Sequence, residues 1–528
     1  MAQHLLSLLV FLPLVALAPV LLIPHTARPG VFKTILILVT GGQLGLAAYL
    51  FWGFDPGRTG ITDPGALAYA ERLDWITLRM GGLGELSIDY FVGVDGLSMP
   101  LVLLAALVLF AGAVASHTIN RRVKGYAALY LLLSTSVVGC FVALDFFLFF
   151  LFFEFMLLPM YFLIGIWGGP RREYAAIKFF IYTLVGSVCI LLVMIGLYLS
   201  VADPKGVHTF DILAMTQPQL FVPGSVLHPT SGLRLAGLPL REVAFLLLFI
   251  GFAVKLPAVP VHTWLPDAHV EAPTPISVVL AGILLKVGAY GLLRIAYPVF
   301  PAEATHYAYL VGGLGTLSIL YAALNALAAD DLKRMVAYSS VSHMGFVLVG
   351  IASITVEGAG GAVYMLFSHG ILSALLFLLV GVLYERTHDK TIPNYRGLAG
   401  PMPHYTAVTT VAFFASLGLP GFSGFIGEFF TLMGAFGAVG FPRWVPFGAL
   451  LGLIAGAAYF LWTLQKMFFG PLWTRNADWQ RHLVDLRMGE KALLYGLAVL
   501  SLVFGLFPHL LFGKMENTLT HWVEWIVK

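Results

Sequence analysis

The sequence predicts an all-α polytopic membrane protein of about fourteen transmembrane helices, with two inverted five-helix repeats and two broken helices. Three observations carry this. Of the 528 residues, 59% are hydrophobic and 11% charged, against about 25% charged in soluble domains. The apolar residues fall in runs of about 20, the length that crosses a bilayer as a helix. Two of these runs are interrupted by proline and glycine, and each holds a charge.

In chain order the runs are 4–24, 32–52, 95–116, 126–144, 146–167, 174–200, 241–262, 275–297, 307–328, 335–355, 362–384, 405–436, 445–469 and 491–513. The chain opens MAQHLLSLL, with no Lys or Arg before the apolar stretch. A signal peptide has a basic start, so 4–24 reads as a retained first span. The connection between 126–144 and 146–167 is expected to be very short, around Asp145. The long loops 53–94 and 201–240 carry Pro, Gly and mixed charge and read as ordered coverings. The stretch 470–490 alternates apolar and charged residues; an interfacial helix and a solvated loop both fit it.

The broken runs are the seventh, 241–262, and the twelfth, 405–436. They lie five spans apart, and an odd shift reverses direction across the membrane, as in inverted-repeat transporters. The expected division is therefore 1–125 for helices 1–3, 126–300 for a first repeat of helices 4–8 and 301–470 for a second of helices 9–13. Residues 471–528 then hold an amphipathic connection and the last transmembrane helix.

Lys and Arg set the orientation. Of the 30, 18 fall in odd-numbered loops and 10, Arg294 among them, in even loops and termini; Lys255 and Lys286 lie inside spans. The odd loops read as cytoplasmic and both termini as non-cytoplasmic. A net charge of +3 carries no nucleic-acid signal. Cys140 and Cys189 sit in apolar runs and read as packing residues. No CxxC, HExxH, P-loop or dinucleotide fingerprint occurs, so no metal or redox cofactor is expected on this chain.

Glu154, Lys255, Lys286 and Glu428 fall deep inside spans. At a bilayer centre such a group costs about 2.5–3.5 kcal/mol, so it faces the bundle interior, a partner or a wet path. Two of each sign in separate helices read as a proton or ion relay rather than a single structural pair. Lys255 is two residues before Pro257, which strips the Ala253 carbonyl of its helical donor. Lys286 lies one turn after Gly282 and precedes Gly288 and Gly291, which allow either close helix approach or room for water. Glu428 follows Pro420, which frees the Ser416 carbonyl, and a glycine series at 418, 421, 424 and 427 that disfavours a continuous helix. His343 and His369 can accept and donate a proton at two nitrogens, and Ser339, Ser340, Ser342 and Ser368 surround them in sequence. His262, Asp267 and His269, at or beyond the end of the seventh span, fit either a path into this axis or the surface.

The segments FFLFFEFMLLPMYFLIGIWGG, KLPAVPVHTWLPDAHVEAPTPISVVLAGILLKVGAYGLLR, DLKRMVAYSSVSHMGF and LPGFSGFIGEF together resemble the antiporter-like membrane subunits of respiratory complex I, strongly over positions 90 to 470. AADDLKR before AYSS is a small departure that touches no relay residue. Glutamate in the twelfth span, SHMGF and HVEAPTP set the chain apart from the sister subunits L and N, which the resemblance implies as neighbours. It further implies that Glu154 pairs with Lys255, that Lys286, His343 and His369 form a central axis and that Glu428 is the exit-side carrier. Opening the Glu154–Lys255 pair is expected to push the lysine proton towards Lys286 and then Glu428, driven by NADH oxidation and quinone reduction in other subunits of a bacterial cytoplasmic (inner) membrane. The buried charges alone fit equally a subunit of a monovalent cation/proton antiporter or of a membrane-bound hydrogenase, and a non-pumping scaffold of the membrane arm is the structural alternative.

Overall fold

In lipid a backbone must satisfy its own hydrogen bonds, so long apolar runs become helices. In the computed structural model, which describes residues 4–79 and 85–528, they do. The helices are α1 (Leu5–Leu22), α2 (Pro29–Gly53), α3 (Met99–Ala115), α4 (Val123–Val142), α5 (Phe146–Phe155), α6 (Leu157–Trp167), α7 (Arg172–Tyr198), α8 (Leu240–Lys255) and α9 (Trp264–Glu271). They continue as α10 (Thr274–Val299), α11 (Ala308–Leu327), α12 (Leu332–Ala352), α13 (Val356–Thr387), α14 (Pro403–Ser416), α15 (Ser423–Gly437), α16 (Trp444–Phe468), α17 (Met488–Leu506) and α18 (His509–Val527).

Among the described residues, 12 helical stretches are long and apolar enough to cross a membrane, with α5 and α6 together forming one of them. The two runs read as broken are broken. α8 stops at Lys255 and α9 begins at Trp264; α14 stops at Ser416 and α15 begins at Ser423. A third discontinuity, not anticipated, separates α5 from α6 at Met156. Pro159 supplies its cause, because it withholds the donor that the Phe155 carbonyl would have used. Glu154 stands just before it.

α10, α12 and α13 form the centre, with α10 and α13 buried along their whole apolar stretch. Glycines bring the elements together. A side chain at Gly282 would strike Val108, one at Gly288 the backbone of Phe252 and Leu256, and one at Gly291 the Phe252 ring. These three glycines therefore serve close helix approach.

One end of the bundle is capped. An antiparallel hairpin, β1 (Ala68–Arg79) and β2 (Glu85–Val94), covers it; residues 80–84 of the loop read as a covering lie outside the described residues. Arg72 on β1 bridges Asp89 at 2.7 Å and Asp211 of the 201–240 loop at 2.8 Å, so the two coverings are tied together. Asp145 does sit in a very short connection, where it caps α5 by accepting from Leu148 N at 2.9 Å. Burial pushes its carboxyl up to about 7.

The end of the chain differs from expectation. The final span ends at Leu506 rather than 513, and a separate helix, α18, follows Pro508. It lies against the hairpin end: Trp522 Nε1 donates to Leu293 O at 2.8 Å, Trp525 Nε1 to Pro298 O at 2.9 Å and Lys514 Nζ to Phe54 O at 2.7 Å. Residues 470–490 form a short strand, Trp473–Thr474, paired with Tyr395–Arg396, and one turn of 3-10 helix, Ala477–Arg481. The amphipathic helix of the C-terminal region is thus α18. Its charged and amide residues had masked the pattern, since Lys514, Glu516, Asn517 and Glu524 interrupt the apolar run.

Candidate functional site

Lys286 lies near the middle of α10 and is fully buried. Its Nζ donates to Ala281 O at 2.5 Å and lies 2.8 Å from His369 Nδ1 on α13. When the Lys286 amine is protonated it has only donors, so Nδ1 then accepts and the His369 hydrogen sits on Nε2. The His369 and His343 rings stand 5.3 Å apart, edge to face. His343, on α12, donates from Nε2 to Ser416 O at 3.1 Å, and the same nitrogen is 3.8 Å from Glu428 Oε1. Four of the six expected residues thus form one line across four elements: Lys286, His369, His343 and Glu428.

The line borders a small cavity of about 10 Å³, lined by Ser339, His343, His369, Ser373, Ser416 and Glu428 among others. Only part of the anticipated serine strip contributes. The hydroxyls of Ser340 and Ser342 turn to the carbonyls of Val336 and Ile319, and Ser368 bonds Ser423 Oγ at 2.8 Å.

The α14–α15 break builds one end of this line. Pro420 cannot donate to Ser416 O, and His343 takes that acceptor. Leu419 N reaches back to Phe414 O instead, at 3.1 Å. Gly418 has φ +78° and Gly421 φ +100°, the left-handed region open to glycine. Gly418 is needed twice over, because any side chain there would collide with the Glu428 carboxylate. Gly424 and Gly427 behave otherwise than the glycine series suggested. They lie inside continuous α15, where a side chain would strike Ala415 O or the Met365 backbone.

At the other break Ala253 O recovers a donor from Ala258 N at 2.9 Å, one residue further than in an α-helix. Val254 O, released by that shift, accepts from Trp264 Nε1 at 2.9 Å. Lys255 Nζ sits 4.4 Å above the Phe153 ring, a cation–π geometry. Lys255 and Glu154 act on each other electrostatically. Yet among the described residues neither Lys255 Nζ nor Glu154 Oε1 has a hydrogen-bond partner. The direct pair implied by the resemblance is therefore open here, with the phenylalanine face taking the carboxylate's place. No hydrogen bond links Lys255 to Lys286 among the described residues.

Sequence reasoning missed three groups. Arg294, counted among the loop residues, is buried in α10 and bonds both oxygens of Asp95 at 2.6 Å. Asp95 follows β2 at the very start of the third run, where a carboxylate looks like an ordinary loop residue. Lys333, also counted to a loop, is buried and bonds Ala272 O. His269, left between path and surface, is fully buried against Phe377, and both ring nitrogens lack a partner among the described residues. His262 is buried beside Tyr321, whereas Asp267 is partly exposed and holds Lys178 at 2.7 Å. Among the described residues no group of three His, Cys, Asp or Glu side chains could hold a metal ion.

A many-helix membrane bundle with interrupted helices and a buried line of lysine, histidine and carboxylate is the architecture of an ion-translocating membrane subunit. The chain belongs to the family described as NADH:quinone oxidoreductase/Mrp antiporter, TM, whose model matches residues 143–452, the stretch that holds all six candidate residues. It is similar to NADH-quinone oxidoreductase subunit M of Rhodobacter capsulatus, with 38% identity over 99% of this chain and 97% of that one. It is also similar to the F(420)H(2) dehydrogenase subunit M of Methanosarcina mazei, 38% identical over 90% of this chain and 89% of that one. Among solved structures, a chain of respiratory complex I from Thermus thermophilus with bound NADH matches with TM-score 0.81 and 32% identity, covering 100% of both chains.

Proposed function

We propose that this chain is a subunit M, a proton-translocating membrane subunit of a NADH:quinone oxidoreductase. The observation that carries the proposal is the line Lys286–His369–His343–Glu428. Each neighbour in it can donate or accept a proton, the line is sealed from lipid, and it ends in a cavity beside a helix break. Neutral imidazoles can pass a proton by taking it on one nitrogen and releasing it from the other.

In this reading Glu154 and Lys255 form the switch. Glu154 closing onto Lys255 holds the ammonium; moving away, it leaves the ammonium with only the Phe153 face, and Lys255 then gives up its proton towards Lys286 and becomes a neutral amine. Glu428 then releases the proton on the far side. His269, between the Lys333 end of the bundle and Lys286, is the step by which protons reach the line. The energy comes from redox chemistry in other subunits, so the relay needs no cofactor in this chain.

The two breaks support fourteen crossings, the twelve long apolar stretches, one of them interrupted at Met156, and the two broken ones, with inverted repeats over 126–300 and 301–470 flanked by 1–125 and 471–528. The likeness to a chain of respiratory complex I supports a position in the membrane arm, where in this reading subunits L and N are the neighbours. The lysine and arginine asymmetry supports both termini on the non-cytoplasmic side, and the relative in Rhodobacter capsulatus supports a bacterial inner membrane. A relative in F(420)H(2) dehydrogenase keeps a different electron donor as the second reading, since donor choice lies outside this chain.

Co-purification separates these readings: NADH-oxidising subunits support the first, and a complex lacking them the second. Replacing Lys255 with Ala in the assembled complex is expected to diminish proton translocation at preserved assembly. Undiminished translocation would contradict the relay.

A further inference from the structure

α1 ends at Leu22, α2 begins at Pro29 and α4 begins at Val123, and the three helices pack on one another. Between these ends lies an open groove of about 510 Å³. Its surroundings are basic. Residues 24–33 and 118–128 hold His25, Arg28, Lys33, Arg121, Arg122 and Lys124 and no Asp or Glu. His25, Arg122 and Lys124 line the groove itself, and among the described residues no carboxylate does.

The cations are fixed by neutral oxygens. Lys124 Nζ donates to Leu21 O and Ile23 O, each at 2.8 Å. Lys33 Nζ donates to His117 O at 2.7 Å and to Asn120 Oδ1 at 3.0 Å. These contacts position the ammonium groups without cancelling their charge. Trp167 Nε1 donates to Arg121 O at 2.6 Å and so steadies the turn that carries Arg122. α2 and α4 also begin at this rim without a side-chain cap, and free N–H groups at a helix start add to the attraction for an anion.

The floor of the groove is apolar, made by Leu21, Phe32, Val123 and Ala128. Lys124 and Ala128 are four residues apart on α4, so one helix face runs from charge to apolar surface. Cations in loops beside membrane spans are an ordinary topology signal. That signal requires neither a groove nor an apolar floor beneath the charges.

We infer that this groove holds an anionic phospholipid, its phosphate among Arg122, Lys124 and His25 and its acyl chains on Leu21, Phe32 and Ala128. Basic pockets between membrane helices take lipid headgroups through this combination. The groove lies where spans end, at headgroup depth, and a free phosphate would gain nothing from its floor. The inference does not depend on the proton line.

The test uses the purified complex that contains this chain, freed of loose lipid in detergent and titrated with phosphatidylglycerol or, as a zwitterionic control, phosphatidylcholine. Native mass spectrometry counts retained lipid, and melting temperature reports the stabilisation that binding to the folded state brings. Arg122→Asn removes a rim charge, and asparagine tolerates the φ of +49° there. Gly125→Leu keeps every charge and fills the groove; a side chain there first meets the Trp167 ring, at 3.9 Å. Arg122→Asn is expected to weaken retention of one phosphatidylglycerol about five-fold, the effect of one cation beside an anionic headgroup. Arg122→Lys is expected to retain it. Gly125→Leu is expected to hold one lipid fewer than wild type and to lose the melting-temperature gain.

Equal retention of phosphatidylcholine by the wild type, or displacement of the lipid by excess inorganic phosphate, overturns the inference. So does a loss in Arg122→Asn that Gly125→Leu does not share, which marks diffuse attraction to a basic surface. A groove covered by a neighbouring subunit retains no lipid in the wild type and sheds that subunit in Gly125→Leu, and that outcome overturns it as well. If Arg122→Asn fails to assemble, Gly125→Leu with its charges intact decides.

Discussion

His343 Nε2 donates to the Ser416 carbonyl at 3.1 Å, the carbonyl that Pro420 leaves without a helical donor. The break therefore does more than interrupt a helix. It fixes which nitrogen of His343 carries the hydrogen, and it holds that nitrogen 3.8 Å from Glu428. Backbone disruption and proton relay are one feature of the fold.

The first prediction concerns Gly418. Alanine there must adopt φ +78°, which costs on the order of 1 kcal/mol, and its methyl group collides with the Glu428 carboxylate. Gly418→Ala is expected to displace Glu428 and to lower proton translocation strongly, with only a small loss of assembled complex. Translocation per electron at matched complex content checks it. A normal ratio would show that the position of the carboxylate is not critical.

Glu428→Gln keeps size and hydrogen bonding but cannot carry a proton. The cavity beside His343 is preserved, so assembly is expected to match wild type while translocation falls. Acidification measured in vesicles during turnover checks this. Equal loss of assembly and translocation would instead assign Glu428 a structural role.

Asp145 gives a pH dependence outside the spans. Its carboxyl titrates near 7 in the folded chain against an ordinary value of 3.8, with burial as the main cause. Between those values the folded chain holds a proton that the unfolded chain lacks. Stability therefore falls as pH rises from about 4 to about 7, by on the order of 1.4 kcal/mol per pH unit, and levels off above. Asp145→Asn keeps an oxygen to accept from Leu148 N and removes the titration. Melting temperatures across pH 4.5–8, the range set by that window, are expected to fall less steeply in the variant. Parallel slopes would contradict the assignment.

Trp522 anchors α18. It is fully buried, stacks on Tyr297 and donates to Leu293 O. Trp522→Ala is expected to cost roughly 3–5 kcal/mol, seen as a lower melting temperature and faster proteolysis after Pro508. Unchanged proteolysis would mean that the rest of α18 holds without it.

Much of this was legible in the sequence because lipid leaves few choices. Apolar runs had to be helices, and Pro257 and Pro420 had to disturb them. The four charges deepest in those runs stood out for the same reason. Arg294, Lys333 and Asp95 did not, because each lies within a few residues of a run's end, where hydropathy reads a charge as a loop. Pro159 was overlooked because the residues around it are apolar throughout. α18 was missed because its charged face breaks the hydropathic run that marks a span. Distances lay beyond the sequence altogether: nothing in it could say that Lys286 meets His369 directly while Lys255 stands over Phe153 with Glu154 apart from it.

The most direct measurement is the number of protons translocated per electron by the complex carrying Lys286→Met. It is compared with wild type at equal assembly and equal electron transfer. Lys286 is the group that feeds His369, so the account predicts loss of the share that this chain contributes. An unchanged stoichiometry would contradict the line Lys286–His369–His343–Glu428 as the proton path.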